Sequence, residues 1–310
     1  MVFNSIFFIF CFLPVFMLIY YLVPGKLRNL LLFLGSLIFY AWGEPVYVIL
    51  MLFSSIFNYY MGTELERLYY DDRKQKINLI FSIIINLAVL VFFKYYGFLL
   101  NTIGGIIGIH IPHPELSLPI GLSFYTFRNL SYLFDIYLSK VSAQRNFLTF
   151  AVYSTMFPYT SAGPIVRYTD IETQLKQRTI NISKFGIGAE LFVKGLAKKV
   201  LLADNLSVLY SSICGHPQMS VFTSWLGILA YTMQLYFDFS GYSDMAIGLG
   251  KMLGFDFNKN FDYPYISTSV SEFWRRWHIS LGSWFRDYIY IPLGGNRVST
   301  LKHIRNILVV

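Results

Sequence analysis

The sequence predicts an all-α, polytopic membrane protein, and three observations carry that prediction. Only 14% of its 310 residues are charged and 55% are hydrophobic, whereas a soluble domain carries about a quarter charged residues. The apolar residues gather in runs of about 20, the length a helix needs to cross a hydrocarbon core of about 30 Å. The N-terminus has neither a basic leader nor an A-x-A cleavage site, so residues 3–23 read as a retained span and not as a signal peptide.

Taken in order, residues 3–23 are the first span, closed by Pro24-Gly25-Lys26. Residues 30–62 form a longer apolar run broken by Gly43-Glu44-Pro45, so two helices joined by a tight turn are expected, the first short and ending near Trp42. Residues 64–76 are densely charged and lie outside the bilayer. Residues 77–100 make the next span, with Lys94 and Tyr95-Tyr96 near its far end, followed by a Gly- and Pro-rich stretch over 101–118. A further span, 119–138, carries Arg128 and Asp135. Residues 146–160 are apolar but stop at Pro158 and should enter and return. Residues 185–213 read as one long helix, and 221–237 as a span leading into a small polar break, FSGYSD, bracketed by Asp238 and Asp244.

The last complete helix runs from about Val270 to Tyr290. Ser269 stands at its N-cap with Glu272 three residues on, the reciprocal pairing of a capping box. Phe273, Trp277, Leu281, Trp284 and Tyr288 share one face at helical spacing, widened by Trp274 and Phe285. Arg275, Arg276, Ser283, Arg286 and Asp287 occupy the other, and Pro292 with Gly294-Gly295 ends the element. Aromatic rings flanked by arginines suit the headgroup boundary of a bilayer, so this helix is expected to lie in or dip into the membrane, carrying His278 with it. A basic connection, Arg297 to Arg305, follows, and a new apolar segment begins at Ile307.

The formal charge is +8. In a membrane protein, excess Lys and Arg marks cytoplasmic loops, which is preferred here over nucleic-acid binding. Lys26 and Arg28, Arg67 to Lys76, and Lys140 with Arg145 fall on one side of these spans; residues 101–118 and 214–220, without Lys or Arg, fall on the other. Cys11 and Cys214 are the only cysteines, which leaves no disulfide framework and no cysteine metal site. No internal repeat is visible, which weakens an inverted-repeat transporter.

Charged groups in apolar surroundings usually face a cavity or a partner, because a central Asp or Arg costs about 2.5–3.5 kcal/mol on insertion scales. Arg128 and Asp135 lie two turns apart, so both can point inward, and Asp238 and Asp244 could line a wet cavity. The plainer reading of each is a structural pair or an interfacial cap. His278 is the sharper candidate: imidazole accepts and returns a proton near neutral pH, and light desolvation beside aromatic surface favours its neutral form. Attack of a sugar hydroxyl on a thioester needs such a base, with oxyanion stabilisation from Arg275 or backbone N–H groups. Its plainer reading is an interfacial histidine that holds a loop by hydrogen bonds. His110, His113, His216 and His303 sit beside Gly, Pro or Lys and are expected to be solvated; two loop histidines without a third ligand are weak grounds for a metal, so none is assigned. No triad spacing, Walker loop or GxGxxG motif is present.

The stretch PYISTSVSEFWRRWHISLGSWFRDYIYIPLGGNR closely resembles the signature of membrane-bound O-acyltransferases (MBOAT), in particular the bacterial alginate O-acetyltransferase branch. FYAWGEP at Phe39–Pro45, GLSFYTF at Gly121–Phe127, AGPIVRY at Ala162–Tyr168 and YFDFSGYSDMAIGLGKMLGF at Tyr236–Phe255 are similar to it as well, in order over nearly the whole chain. The resemblance implies a single MBOAT-like membrane domain over 1–310, built as a ring of tilted transmembrane helices with re-entrant and interfacial helices around a central tunnel. It implies no bound cofactor but an acyl donor, such as acetyl-CoA or an acyl carrier thioester, whose acyl group reaches hydroxyls of an exported polysaccharide such as alginate. The related branch that D-alanylates teichoic acids shares this architecture. The implied setting is the bacterial inner membrane, with periplasmic acylation partners or a cytoplasmic acyl carrier and no nucleic acid.

The first histidine of the family's pattern maps onto His278, which then lines the tunnel and orients donor or acceptor. Trp274, Arg275, Arg276 and Trp277 are its neighbours, and Asp238 and Asp244 are further candidates for substrate contact. The second histidine of the pattern, usually taken as the essential base, belongs to a WHG-type motif that these residues do not contain, so C-terminal helices are expected beyond Val310. A transporter with Arg128, Asp135 and Asp238 along its path, or a non-catalytic scaffold for periplasmic partners, are the competing readings.

Overall fold

Apolar runs with helical periodicity fold as helices, and every regular element among the described residues is helical. The computed structural model describes residues 1–109, 112, 116–216 and 219–310. In chain order the α-helices are α1 (Leu13–Leu22), α2 (Arg28–Ala41), α3 (Val48–Arg67), α4 (Asp72–Ile107), α5 (Leu122–Tyr137), α6 (Phe147–Thr155), α7 (Tyr168–Lys176), α8 (Ile182–Ala197), α9 (Asp204–Cys214), α10 (Val221–Met252), α11 (Val270–Arg276), α12 (Ile279–Phe285) and α13 (Thr300–Val309). Wider π-type turns lead into α1, join α8 to α9 over Lys198–Ala203, and extend α12 over Arg286–Tyr290. By length and composition α3 and α4 can cross a membrane.

Local chemistry explains most boundaries. The side chains of Asp71, Asn146, Asn181, Ser220 and Ser269 each accept a hydrogen bond from a backbone N–H three residues on, satisfying an otherwise orphaned donor. Glycine at positive φ ends α4 at Gly108 and opens α5 at Gly121. A Cβ on Gly121 would sit 2.0 Å from the Thr160 carbonyl oxygen, so only glycine fits there.

Several elements depart from the sequence reading. The break at Gly43-Glu44-Pro45 is present, between α2 and α3. The charged stretch 64–76, expected as an external connection, is mostly helical, with only Leu68–Asp71 between α3 and α4, because Asp71 caps α4 at once. The expected helix 185–213 is continuous but passes through a π-type stretch. The break at FSGYSD is absent: α10 runs unbroken through Asp238 and Asp244, and Ser240, Gly241 and Ser243 are buried in it. Small residues there serve close helix packing, which the sequence alone does not distinguish from a helix break.

The chain groups into two compact units. One comprises Val23–Ser161 and Arg167–Thr169. Its α3 and α4 are joined by a reciprocal amide pair, Asn58 with Asn86, at 3.1 and 2.9 Å. Arg128 and Asp135 both point inward, as their spacing suggests: they are 1% and 0% exposed. Arg128 donates to the carbonyls of Tyr159 (3.2 Å) and Ser154 (3.0 Å) and lies 4.3 Å over the Tyr159 ring. Lys140 approaches Asp135 at 3.3 Å. These are structural partners, so Arg128 closes the end of α6 instead of facing a substrate path.

The other unit comprises Met1–Leu22, Ala162–Val166 and Asp170–Val310. Its centre is the antiparallel pair α8 and α10. Gly188 faces Gly248 and Gly195 faces Gly241, so closely that a Cβ on any of the four would fall 2.5–2.7 Å from a carbonyl oxygen of the facing helix. Tyr20 donates to the Leu253 carbonyl (2.7 Å) and accepts from Arg178 Nε (2.7 Å), tying α1 to the end of α10. His303 lies on α13, where Nε2 meets the Tyr290 hydroxyl at 3.1 Å; it is anchored, not simply solvated as its loop-like sequence suggested. His110 and His113 lie outside the described residues.

Candidate active site around His278

The single helix expected over 270–290 is broken at its middle. Helix α11 ends at Arg276, Trp277 is extended (φ −100°, ψ 128°), and His278 takes the left-handed conformation (φ 43°, ψ 54°) before α12 starts at Ile279. Helical spacing of the aromatic residues continues through the break, which is why periodicity did not reveal it. A left-handed non-glycine residue costs about 1–3 kcal/mol and persists only where neighbours enforce it.

The enforcing segment is Asn260–Asp262, in the connection after α10. Its backbone brackets the break: Asp262 N–H donates to the Arg276 carbonyl (2.9 Å), and Ile279 N–H donates to the Asn260 carbonyl (2.9 Å). The fully buried Asn260 side chain completes the frame. Its Oδ1 accepts from Ser280 N–H (3.1 Å) and Ser280 Oγ (2.8 Å) and lies 3.2 Å from His278 Nδ1, while its Nδ2 donates to Ser243 Oγ on α10 (3.1 Å). Ser280 Oγ in turn accepts from Ile165 N–H (3.0 Å). Thus the histidine does hold a hydrogen-bonded turn, and the Nδ1 edge of its ring is committed to it.

Aromatic rings enclose the imidazole. Phe239 meets it edge-on at 4.7 Å between centroids, and Phe261 lies nearly parallel at 6.5 Å. Trp277 stacks on Phe273 at 5.6 Å and meets the Phe261 ring edge-on at 5.1 Å. Phe261 also forms one wall of a cleft of about 670 Å³, whose other walls include Lys194, Lys198, Lys259, Asp244 and Tyr236. Each of these lysines is paired at 2.6 Å, Lys198 with Asp244, Lys194 with Glu190 and Lys259 with Asp262, so the cleft combines apolar side chains with lysines that already hold carboxylate partners.

The remaining predicted residues divide. Trp277 belongs to the aromatic wall, whereas Trp274 is exposed. Arg276 is engaged by Glu272 (2.9 Å) and the Asp262 carbonyl (3.1 Å), which leaves it structural. Arg275 is exposed, and no ion pair or hydrogen bond engages it among the described residues. Glu272 reaches back to Thr268, accepting from both its N–H and its Oγ1 at 3.0 Å, one residue beyond the Ser269 expected of a strict capping box. Those two bonds, with Arg276, hold its carboxyl down at about 2. Asp244 lines the cleft; Asp238 pairs with Lys199 at 2.8 Å and does not join it. Ser280, Ser243 and Phe239 lie inside the recognised stretches but were not singled out from them, and Asn260 and Phe261 lie outside them. The one available hint was Asn260 in the polar stretch just before the recognised signature. Among the described residues no group of three or more His, Cys, Asp or Glu is placed to hold a metal.

The pattern of membrane-bound O-acyltransferases matches residues 42–310. The chain belongs to the membrane-bound O-acyltransferase family. It is 45% identical over 99% of its length to the probable alginate O-acetylase AlgI of Pseudomonas aeruginosa and 44% identical to that of Azotobacter vinelandii, covering 60% and 62% of those proteins. It is also 35% identical to the peptidoglycan O-acetyltransferase of Helicobacter pylori over 100% of this chain and 65% of that protein. The teichoic acid D-alanyltransferase of Bacillus subtilis is 30% identical over 59% of this chain and 47% of that protein. The chain therefore spans about three fifths of the length of the alginate O-acetylases it matches.

Proposed function

We propose that this chain belongs to a membrane O-acyltransferase that moves an acetyl group from a thioester donor to hydroxyls of an exported polysaccharide such as alginate. The observation that carries the reading is the 45% identity, over 99% of the chain, to a probable alginate O-acetylase. The teichoic acid relatives are more distant and match only 59–62% of the chain, which makes D-alanyl transfer the second reading.

In this reading His278 is the catalytic residue contributed by these 310 residues. Nδ1 is taken up by the Asn260 frame, so Nε2 is the ring nitrogen available to a reactant. It orients the donor or the acceptor by a hydrogen bond. As the acceptor hydroxyl oxygen bonds to the acyl carbon, its proton passes to the base, the role that the family pattern gives to its second histidine; the C–S bond then breaks, and the departing thiolate takes up that proton. Phe239, Phe261 and Trp277 exclude water, so the thioester meets the polymer hydroxyl and not a hydroxide. Arg275, exposed at the end of α11, is the cation proposed for the oxyanion or for donor phosphate, because the nearer Arg276 is engaged by Glu272 and the Asp262 carbonyl. The lysine-rimmed cleft suits an anionic donor such as acetyl-CoA or the phosphopantetheine of an acyl carrier. The protein would lie in the bacterial inner membrane as a multi-pass protein, working with an acyl carrier or periplasmic acylation proteins.

Expression of the full-length protein in a cell that exports alginate but lacks its own O-acetylase tests the reading. Acetyl esters on the exported polymer are expected. Unmodified polymer, or D-alanyl esters on teichoic acid in a host that makes it, would overturn the acetyl reading.

A further inference from the structure

The three lysines on the wall of the cleft each meet a carboxylate at 2.6 Å, but the three pairs are not alike. Glu190 holds Lys194 from one turn away on α8, and Asp262 holds Lys259 from three residues on; neither carboxylate lines the cleft. Both pairs stand open to solvent, where screening leaves an ion pair weak. Asp244 differs. It is the only carboxylate on the cleft wall among the described residues, and it reaches Lys198 from another helix. Its side chain is 22% exposed, against 64% for Glu190.

The backbone explains why this pair forms inside the cleft. The end of α8 is pressed against α10 at Gly241, where a Cβ would fall 3.1 Å from Lys198 Cβ. With no side chain at 241, Lys198 lies across α10 and meets Asp244, three residues on. Lys199, the next residue of the π-type turn, goes to the other side of Gly241. There Asp238 (2.8 Å) and Asp204 (2.9 Å) hold it, and none of these three lines the cleft.

We infer that Asp244 is the specificity-determining residue of the cleft: it occupies Lys198 in place of the donor's phosphate and yields only to that phosphate. A ligand carboxylate would replace Asp244 like for like, and must besides give up its freedom in solution. A phosphomonoester such as the one acetyl-CoA carries brings a charge of about −1.5 to −2 and three acceptor oxygens, so the exchange favours it. The cleft then admits a phosphate-bearing thioester and turns away the carboxylates of an acidic acceptor such as alginate, so donor and acceptor do not compete for it. The inference rests on the reading of the cleft as the donor site.

Its signature is a gain of affinity when a charge is removed. A like charge about 5 Å from a bound anionic oxygen weakens binding about 4-fold at the dielectric of water and about 100-fold or more at an effective value of about 20. Equilibrium binding of acetyl-CoA to the full-length protein in nanodiscs reads the effect. Asp244→Asn should bind acetyl-CoA about 10-fold more tightly than the wild type, and Asp238→Asn, outside the cleft, within about twofold of it. In competition at constant ionic strength, inorganic phosphate should displace acetyl-CoA from the wild type and glucuronate should not; in Asp244→Asn both should. Unchanged or weaker binding by Asp244→Asn, with weaker binding by Lys198→Met, would overturn the inference and leave the cleft as the donor site. Equal competition by phosphate and glucuronate in the wild type would overturn it even where Asp244→Asn fails to fold. Binding of acetyl-CoA that Lys198→Met and Asp244→Asn both leave unchanged would instead remove the donor from this cleft, and the inference with it.

Discussion

Replacing Gly248 with alanine should drive α8 and α10 apart. The added methyl would lie 2.6 Å from the Gly188 carbonyl oxygen, 2.7 Å from Phe192 N and 3.0 Å from Phe192 Cα. All three atoms are backbone, so none can swing away, and the helices must separate by several tenths of an ångström in a close-packed interior. Overpacking of this kind costs about 1–3 kcal/mol. Alanine returns about 1 kcal/mol through its better helix propensity. The net expectation is a loss of about 1–2 kcal/mol, at the upper end because the clash is with backbone. Gly195→Ala, which meets the Gly241 carbonyl oxygen at 2.5 Å, should behave alike. Gly186 supplies the control: it lies on α8 with nothing within 4 Å of its would-be Cβ. Gly186→Ala should therefore stabilise the protein by up to about 1 kcal/mol. Denaturant unfolding of the purified full-length protein in detergent reads all three. Gly248→Ala as stable as the wild type, or Gly186→Ala destabilised equally, would refute the close-contact reasoning.

Arg128→Met should destabilise the fold by about 3 kcal/mol, because it removes charged hydrogen bonds from two buried carbonyls, and Arg128→Lys should recover only part, since an ammonium cannot fork to both; unfolding midpoints check this. Glu272 contributes with a defined sign: its carboxyl lies at about 2 against 4.5 for the free side chain, so its stabilisation of the start of α11 is complete above about pH 4.5 and is lost as pH falls towards 2. Amide exchange protection over 270–276 should accordingly hold from pH 7 to 5 and fall below that once the intrinsic rate is corrected for, and Glu272→Gln should show the weakened state at every pH. Lys198→Met should leave Asp244 unpaired beside the cleft and weaken retention of an anionic thioester donor, whereas Lys198→Arg should retain it; equilibrium binding of acetyl-CoA distinguishes the two.

The helical class was legible because it depends on the summed apolarity of long runs, to which single residues matter little. The turn at Gly43-Glu44-Pro45 was legible for a related reason: proline and glycine act on the backbone locally. The misreadings share a cause. FSGYSD looks like a break in α10, but its small residues are there to admit α8 against Gly241, a contact nearly fifty residues distant in sequence. The interruption at His278 was hidden for the converse reason: Trp277 and His278 are both compatible with helix, and only Asn260, supplied by another segment, forces them out of it. Arg128 and Asp135 were rightly turned inward by their spacing, yet whether they face a path or a carbonyl depends on Ser154 and Tyr159, which spacing does not reveal. Motif resemblance located His278; the residues that shape its chemistry needed the fold.

In the proposed mechanism His278 takes part in acyl transfer. That role is tested most directly by the rate at which the full-length protein, reconstituted with a thioester donor and polysaccharide acceptor, forms esters with and without the ring. His278→Ala, present in the membrane at the wild-type level, should lose about 100-fold or more of the rate while donor binding persists. Transfer within about twofold of the wild type would contradict the account.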